Sequence, residues 1–237
     1  MNKACEINNT AFISMQTNMQ AEETTIMELY IVRHGETMWN RQHRLQGHTD
    51  IPLNDAGLAG ARIASDALKH IHFDHIFSSP LIRARKTAEI ICWNYSNPDI
   101  KICEDLTEIS FGIGEGVDLS GETITTESDL ITLSQIKDWF MNPDKSSPLP
   151  GGESVSDVRF RLCHFLETEI YPNEGNYKKV LITAHGGIVR GLECIIEDLS
   201  DHDFWHGPIV PNCGALVVSL KNGTLKIDKV LDLIDKK

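Results

Sequence analysis

The stretch LYIVRHGETMWN, Leu29 to Asn40, opens as an apolar run and then delivers an arginine, a histidine and a glycine in succession. A short apolar run without polar alternation reads as a strand buried on both faces, the kind found inside a parallel sheet. A strand that stops on Arg33, His34 and Gly35 hands polar groups to the sheet edge. The same grammar recurs in VLITAHGG, where residues 180–184 are followed by His185, Gly186 and Gly187, and in HIFSS at 75–79, which leads into a helix carrying Arg83.

Between these runs lie stretches of helical period, LNDAGLAGARIASDALKH, PLIRARKTAEIICWNY and GGIVRGLECIIEDL. Strand alternating with helix predicts an α/β three-layer sandwich, a mostly parallel central sheet flanked by helices. In the first helix Leu58, Ala61, Ala64 and Leu68 share a face, and Asn54 and Asp55 supply a cap and a first-turn charge. The second is expected to start at Pro80 with Ser79 as cap, and Ala84, Ala88 and Ile91 form its inner stripe. In GGESVSDVRFRLCHFLETEI, Ser154 and Asp157 resemble a capping box with Asp in the Glu position. GALVVSL is expected to be the last strand. From Phe111 to Pro150 the pattern loosens around one helix, DLITLSQIKDWF, and is expected to be an inserted cap segment over the sheet edge.

Composition narrows the field. The 237 residues are 41% hydrophobic and 24% charged, enough for one well-covered core, here assigned to 27–237. A net charge of −12 argues against nucleic acid and anionic membrane as partners. Six scattered cysteines without C-x-x-C spacing favour reduced thiols and a cytoplasmic location. No apolar run is long enough to span a bilayer. Residues 1–26 are polar and without period, and are expected to form a disordered extension, with Met27 a candidate start.

The chemistry gathers where the strands end. Open parallel sheets bind ligands at the carboxyl ends of their strands, where helix amino ends point outward. The loops carrying Arg33 with His34, Arg83, and His185 are expected to open on that edge together. Arg83 opposes its helix dipole by about 0.3 to 1 kcal/mol, a conflict that a bound phosphate would remove. Glycines after both histidines let backbone NH groups approach phosphoryl oxygens, and two arginines offer bidentate donors. A neutral imidazole pinned at one ring nitrogen is a competent nucleophile at phosphorus, and His34 is placed for it. The leaving alkoxide needs a proton, for which Glu108 is the candidate acid. Glu115 and Asp105 compete with it, and composition does not separate the three.

Each of these residues also has a plainer reading. His34 and Arg33 could be a strand-end salt-bridge pair, His185 a core histidine bonded to backbone, and Arg83 part of a solvated basic face with Arg85 and Lys86. His70, His72 and His75 suggest a metal cluster, but no fourth ligand is evident, so no metal and no cofactor is implied. Trp93, Trp139 and Trp205 read as packing groups.

The ordered series RHGET, LQGHTDIPLNDAG, SSPLIRARKTAEII, EISFGIGEG, PLPGGES, AHGG and PNCGALVVSL resembles the histidine phosphatase or phosphoglycerate mutase-like superfamily, from Leu29 to about Leu220. The resemblance implies that His34 is phosphorylated, that Arg33, Asn40, Arg83 and His185 hold the phosphoryl group, and that Glu108 is the proton donor. Gln46 and Gly47 match substrate-side positions, and the Gly186 NH joins the phosphate cradle. EISFGIGEG looks like the small-phosphatase branch, which includes alpha-ribazole phosphatases. The mutase branch carries a tyrosine and an arginine pair after its acid, which this chain lacks there. Residues 111–150 hold only Lys137 and Lys145 against seven acidic residues. The expected activity is therefore phosphomonoester hydrolysis of a small phosphorylated metabolite. A phosphoglycerate mutase and a non-catalytic phospholigand-binding module are the alternatives. The sequence is silent on oligomeric state.

Overall fold

Strand β1 (Met27–Arg33) lies inside a six-stranded sheet, and its side chains alternate between two separate cores. Leu29 and Ile31 pack on one face with α5 (Val155–Phe165) and α6 (Gly186–Ile196). Tyr30 and Val32 pack on the other with α2 (Asp55–Leu68) and α3 (Ile82–Ile91), the one-turn helix α1 (Met38–Arg41) following β1 in the chain. Period-two alternation thus feeds both faces with apolar side chains, and the result is three layers. The computed structural model describes residues 25–95 and 98–234. The expected disordered extension lies, apart from Thr25 and Ile26, outside the described residues.

With β2 (His75–Ser78), β3 (Ile100–Ile102), β4 (Lys179–Ala184), β5 (Ala215–Lys221) and β6 (Thr224–Leu231), the strand order is β3-β2-β4-β1-β5-β6. The four strands from β3 to β1 are mutually parallel, while β5 pairs antiparallel with β1 and β6 antiparallel with β5. The sheet is therefore mixed, and GALVVSL is not its last strand. A tight turn with Asn222 and Gly223 both in left-handed conformation sends the chain back as β6, an edge strand with alternating exposure. Its lysines and aspartate keep that edge unattractive to other strands.

The helix signals hold where a side chain has one task. Asn54 Oδ1 accepts the Gly57 NH at 2.8 Å and caps α2, whose Ala61, Ala64 and Leu68 are buried. Ser154 and Asp157 form the expected reciprocal capping box on α5. The second helix differs: it begins at Ile82, with Leu81 rather than Ser79 in the capping position and Pro80 in the turn before it. Its first NH is met from elsewhere, because Asp50 Oδ1 accepts from Ile82 N at 2.8 Å. Trp139 is buried and Trp205 packs against it, but Trp93 is 69% exposed and packs little. Among residues 111–150, α4 (Glu127–Met141) sends Ile136 and Trp139 into the same core as Leu29 and Ile31.

Candidate active site

Parallel register puts Arg33 opposite Ala184, so the two histidines that follow lie side by side at the carboxyl ends of β1 and β4. Their ring centroids are 5.1 Å apart. His34 Nδ1 meets the Gly35 carbonyl at 2.7 Å, and since a carbonyl only accepts, Nδ1 carries the proton and donates. Nε2 therefore keeps its lone pair, and no hydrogen-bond partner meets it among the described residues. Burial pushes the His34 pKa well below its usual range, and the Arg83 and Arg33 charges push it further, so the ring is neutral at pH 7. Asn212 Nδ2 donates to the His34 carbonyl at 2.9 Å and holds the loop.

Arg83 is fully buried, and its guanidinium links three segments. Nε donates to His185 Nδ1 at 3.2 Å, Nη1 to the Thr49 carbonyl at 3.0 Å and Nη2 to the Gly47 carbonyl at 2.7 Å. Burial lowers its pKa to about 10, still above neutrality. With its amide oxygen turned toward Arg83, Gln46 accepts from Nε and Nη1 at 3.1 Å and donates to Thr37 Oγ1 at 2.7 Å. The conflict expected between Arg83 and its helix dipole is relieved by the Asp50 carboxylate, an anion the chain supplies itself. That conflict is therefore no argument for a bound phosphate.

A stronger sign comes from Arg33. Its Nη1 donates to the Val210 carbonyl at 2.9 Å, but its Nε is buried without a hydrogen-bond partner among the described residues. A buried unpaired guanidinium donor is costly and marks a place for an acceptor oxygen. The guanidinium lies against Gly186, the first residue of α6, whose dipole adds to the positive potential. Asn40 closes the side: its Oδ1 accepts from Thr37 N and Oγ1 at 3.1 and 3.2 Å, which leaves its amide nitrogen as the end for an acceptor.

Three carboxylates competed for the role of acid, and their surroundings separate them. Glu108 is buried, and its oxygens accept from Ile109 N at 2.9 Å and Gly187 N at 3.2 Å. Burial raises its pKa despite those bonds and the Arg83 and Arg33 charges. Glu115 differs: burial pushes its pKa up, but bonds from the Thr49 hydroxyl and the His48, Thr49 and Phe111 NH groups outweigh it and hold it ionised. Asp105 pairs with His164 at 2.7 Å on the surface. Only Glu108 combines burial with a raised pKa. A Cβ at Gly187 would sit 2.7 Å from Glu108 Oε1, and one at Gly47 2.6 Å from the Ile109 carbonyl, so both positions need glycine.

The structure thus brings Arg33, His34, Asn40, Gln46, Gly47, Arg83, Glu108, His185 and Gly186 into one connected cluster. It adds residues not singled out beforehand. Ser79 Oγ lies 2.7 Å from His185 Nε2, and Thr87 Oγ1 accepts from Gly35 N at 3.1 Å. Asn212 stood in plain view inside PNCG; Ser79 and Thr87 carry no local signal that distinguishes them from a cap and a helix-face threonine. Of the suspected metal histidines, His72 stacks on Tyr95 and His75 on Tyr177, and among the described residues no group of three or more ligating side chains assembles.

A strand-end histidine pair, two buried guanidinium groups and a buried carboxyl whose pKa is raised thus gather at the carboxyl ends of the parallel strands. The family model of the histidine phosphatase superfamily (branch 1) matches residues 29–232, and the chain belongs to that superfamily. A 2,3-bisphosphoglycerate-dependent phosphoglycerate mutase of Methylocella silvestris is 34% identical over 176 residues, covering 73% of this chain and 82% of the relative. PhoE of Bacillus subtilis, described as an uncharacterized phosphatase, is 36% identical over 164 residues, 68% of this chain and 73% of the relative. Among solved structures, YhfR of Bacillus stearothermophilus matches with a TM-score of 0.73 at 29% identity, covering 85% of this chain and 95% of that one.

Proposed function

We propose that this protein hydrolyses phosphate monoesters of small metabolites through a phosphohistidine on His34. The observation that carries the reading is the neutral, buried His34, with Nδ1 pinned to Gly35 and the two guanidinium groups close by. In the first step His34 Nε2 attacks phosphorus, the P–O ester bond breaks, and the leaving oxygen takes the Glu108 proton. In the second, water attacks the phosphohistidine while Glu108, now a carboxylate, takes its proton, and the P–N bond breaks to release phosphate. Arg33, Arg83, Asn40, His185 and the Gly186 NH hold the phosphoryl oxygens, His185 turning its Nε2–H from Ser79 Oγ to the phosphoryl group, and Gln46 and Gly47 border the leaving group. Residues 111–150 act as a cap over the site within a domain of residues 27–237.

Relatives named as phosphoglycerate mutases support a second reading, in which the phosphoryl group returns to the substrate. A mutase must grip a second anionic group on its substrate. Lys137 and Lys145, the only cations of the 111–150 segment, are both exposed. Hydrolysis is favoured on that ground, with a substrate carrying little charge beyond its phosphate. The thiols of Cys92, Cys103, Cys194 and Cys213 agree with a reducing, cytoplasmic setting, and among the described residues no helix is long and apolar enough to cross a membrane.

The deciding experiment screens phosphorylated metabolites for phosphate release and, in parallel, follows 3-phosphoglycerate isomerisation with and without 2,3-bisphosphoglycerate. Hydrolysis that outruns isomerisation is expected; isomerisation outrunning hydrolysis would reverse the assignment. Neither turnover nor an acid-labile phosphoenzyme would leave a phospholigand-binding module.

A further inference from the structure

Glu108 lies in a segment without regular secondary structure, so its main-chain groups need partners from elsewhere. They find them in one side chain. Arg161, on α5, donates from Nη1 to the Asp105 and Thr107 carbonyls at 2.6 and 2.7 Å and from Nη2 to the Glu108 carbonyl at 3.3 Å. Its remaining donors make a two-pronged pair with Glu153, Nε to Oε1 at 2.9 Å and Nη2 to Oε2 at 3.1 Å. All five N–H donors of the guanidinium are thereby engaged. Glu153 Oε2 also accepts the Ser110 NH at 2.8 Å, so the pair grips the chain on both sides of Glu108.

A second hand comes from the loop that ligates Arg83. His48 Nε2 lies 2.8 Å from the Glu108 carbonyl and must be the donor there. The same ring is 3.7 Å from Glu153 Oε2. The hydrogen bonds of Arg161 all go to the 105–108 carbonyls and Glu153, and it reaches His185 only through its charge. Such a pair has two possible uses: to stabilise the fold, or to hold the acid where a leaving oxygen will be. Three carbonyls within four residues, the last of them the acid's own, and the Ser110 NH just beyond it favour the second.

We infer that Arg161, locked to Glu153 and assisted by His48, is a positioning residue for Glu108, aligning the acid through its main chain. The inference rests on reading Glu108 as the proton donor. A lysine at 161 would offer a point charge in place of a planar fork and could not span the same acceptors.

Leaving-group dependence tests this, because an alkoxide needs a proton whereas 4-nitrophenolate leaves without one. kcat/KM, which reports steps through phosphoryl transfer to His34, is measured on 4-nitrophenyl phosphate and on the best alkyl phosphate of the metabolite screen. For Arg161→Met the alkyl ester is expected to lose at least about thirtyfold and the aryl ester less than about threefold. Glu153→Gln and His48→Ala should show the same selectivity at smaller size, and they decide the matter if thermal melting shows Arg161→Met unfolded. Equal losses on both esters, or no loss, across the folded variants would overturn the inference. Glu108→Gln separates the two layers of argument. If it is selective and the Arg161, Glu153 and His48 variants are not, the clamp fails alone; if it shows no selectivity, the acid assignment fails and the clamp with it.

Discussion

His34 and His185 occupy equivalent places: each ends a parallel strand, each precedes a glycine, and their strands are neighbours in register. Their hydrogen bonding is not equivalent. Among the described residues the His34 ring is hydrogen-bonded only to the carbonyl of the next residue, and its Nε2 meets no partner. His185 is engaged at both nitrogens, accepting from Arg83 Nε at 3.2 Å and donating to Ser79 Oγ at 2.7 Å. Burial, first, and neighbouring charge keep both rings neutral. The difference teaches that, on the proposed reading, nucleophile and binder are distinguished by which ring nitrogen the neighbours consume. Two loops of one local pattern acquire different chemistry from different surroundings.

The largest effect should fall on His34. Incubation of His34→Ala with 4-nitrophenyl phosphate is expected to give no acid-labile phosphoenzyme and turnover down by at least about 10⁴-fold. His185→Gln should still form the adduct, about 10² slower. An adduct lost equally in both variants would break the contrast.

Next comes the pH profile. His34 must be neutral and its pKa is pushed down, so the acid limb of kcat/KM should lie well below pH 6.5. Glu108 must hold a proton and its pKa is pushed up, so activity on alkyl esters should fall as pH rises through that raised value. The basic limb should vanish in Glu108→Gln, at low residual activity. Its survival there would assign the limb to another group.

The same neutrality has a stability cost in acid. An unfolded histidine takes up a proton near pH 6.5, whereas these two resist it while folded. Stability present above that pH is therefore lost as pH falls through and below it. Each ring contributes a slope approaching about 1.4 kcal/mol per pH unit. Urea midpoints between pH 7.5 and 5 should flatten by about half in His185→Gln; an unchanged slope would deny that His185 is buried neutral.

The smallest effect sharpens the comparison most. Ser79→Ala removes one neutral hydrogen bond, so a change of about three- to tenfold in kcat/KM is expected. It frees His185 Nε2 while leaving His34 untouched. Adduct formation at the wild-type site, mapped by mass spectrometry, should stay on His34. A shift of label to His185 would show that Ser79 alone keeps the two rings apart in function.

The strands and helices that position the site were largely legible because their signals are local. β1 and β4 announce themselves as apolar runs, α2 by its stripe and Asn54 cap, and α5 by its capping box. β3 and β6 were missed: one is three residues long, the other a charged edge strand whose pairing depends on β5. The start of α3 was misplaced because Pro80 and Ser79 look like a cap, whereas Asp50 from a distant loop meets the Ile82 NH.

Sequence by itself determined the alternation of elements, the two His-Gly loops and the charges that end up beside them, because a few adjacent side chains encode each of these. The tertiary structure alone decided which of Glu108, Glu115 and Asp105 is buried with a raised pKa, and which histidine ring keeps a nitrogen without a partner among the described residues. Burial and hydrogen-bond partners come from segments tens of residues apart. No stretch of sequence contains the distance between Arg83 and His185, or between Arg161 and the carbonyl of Glu108.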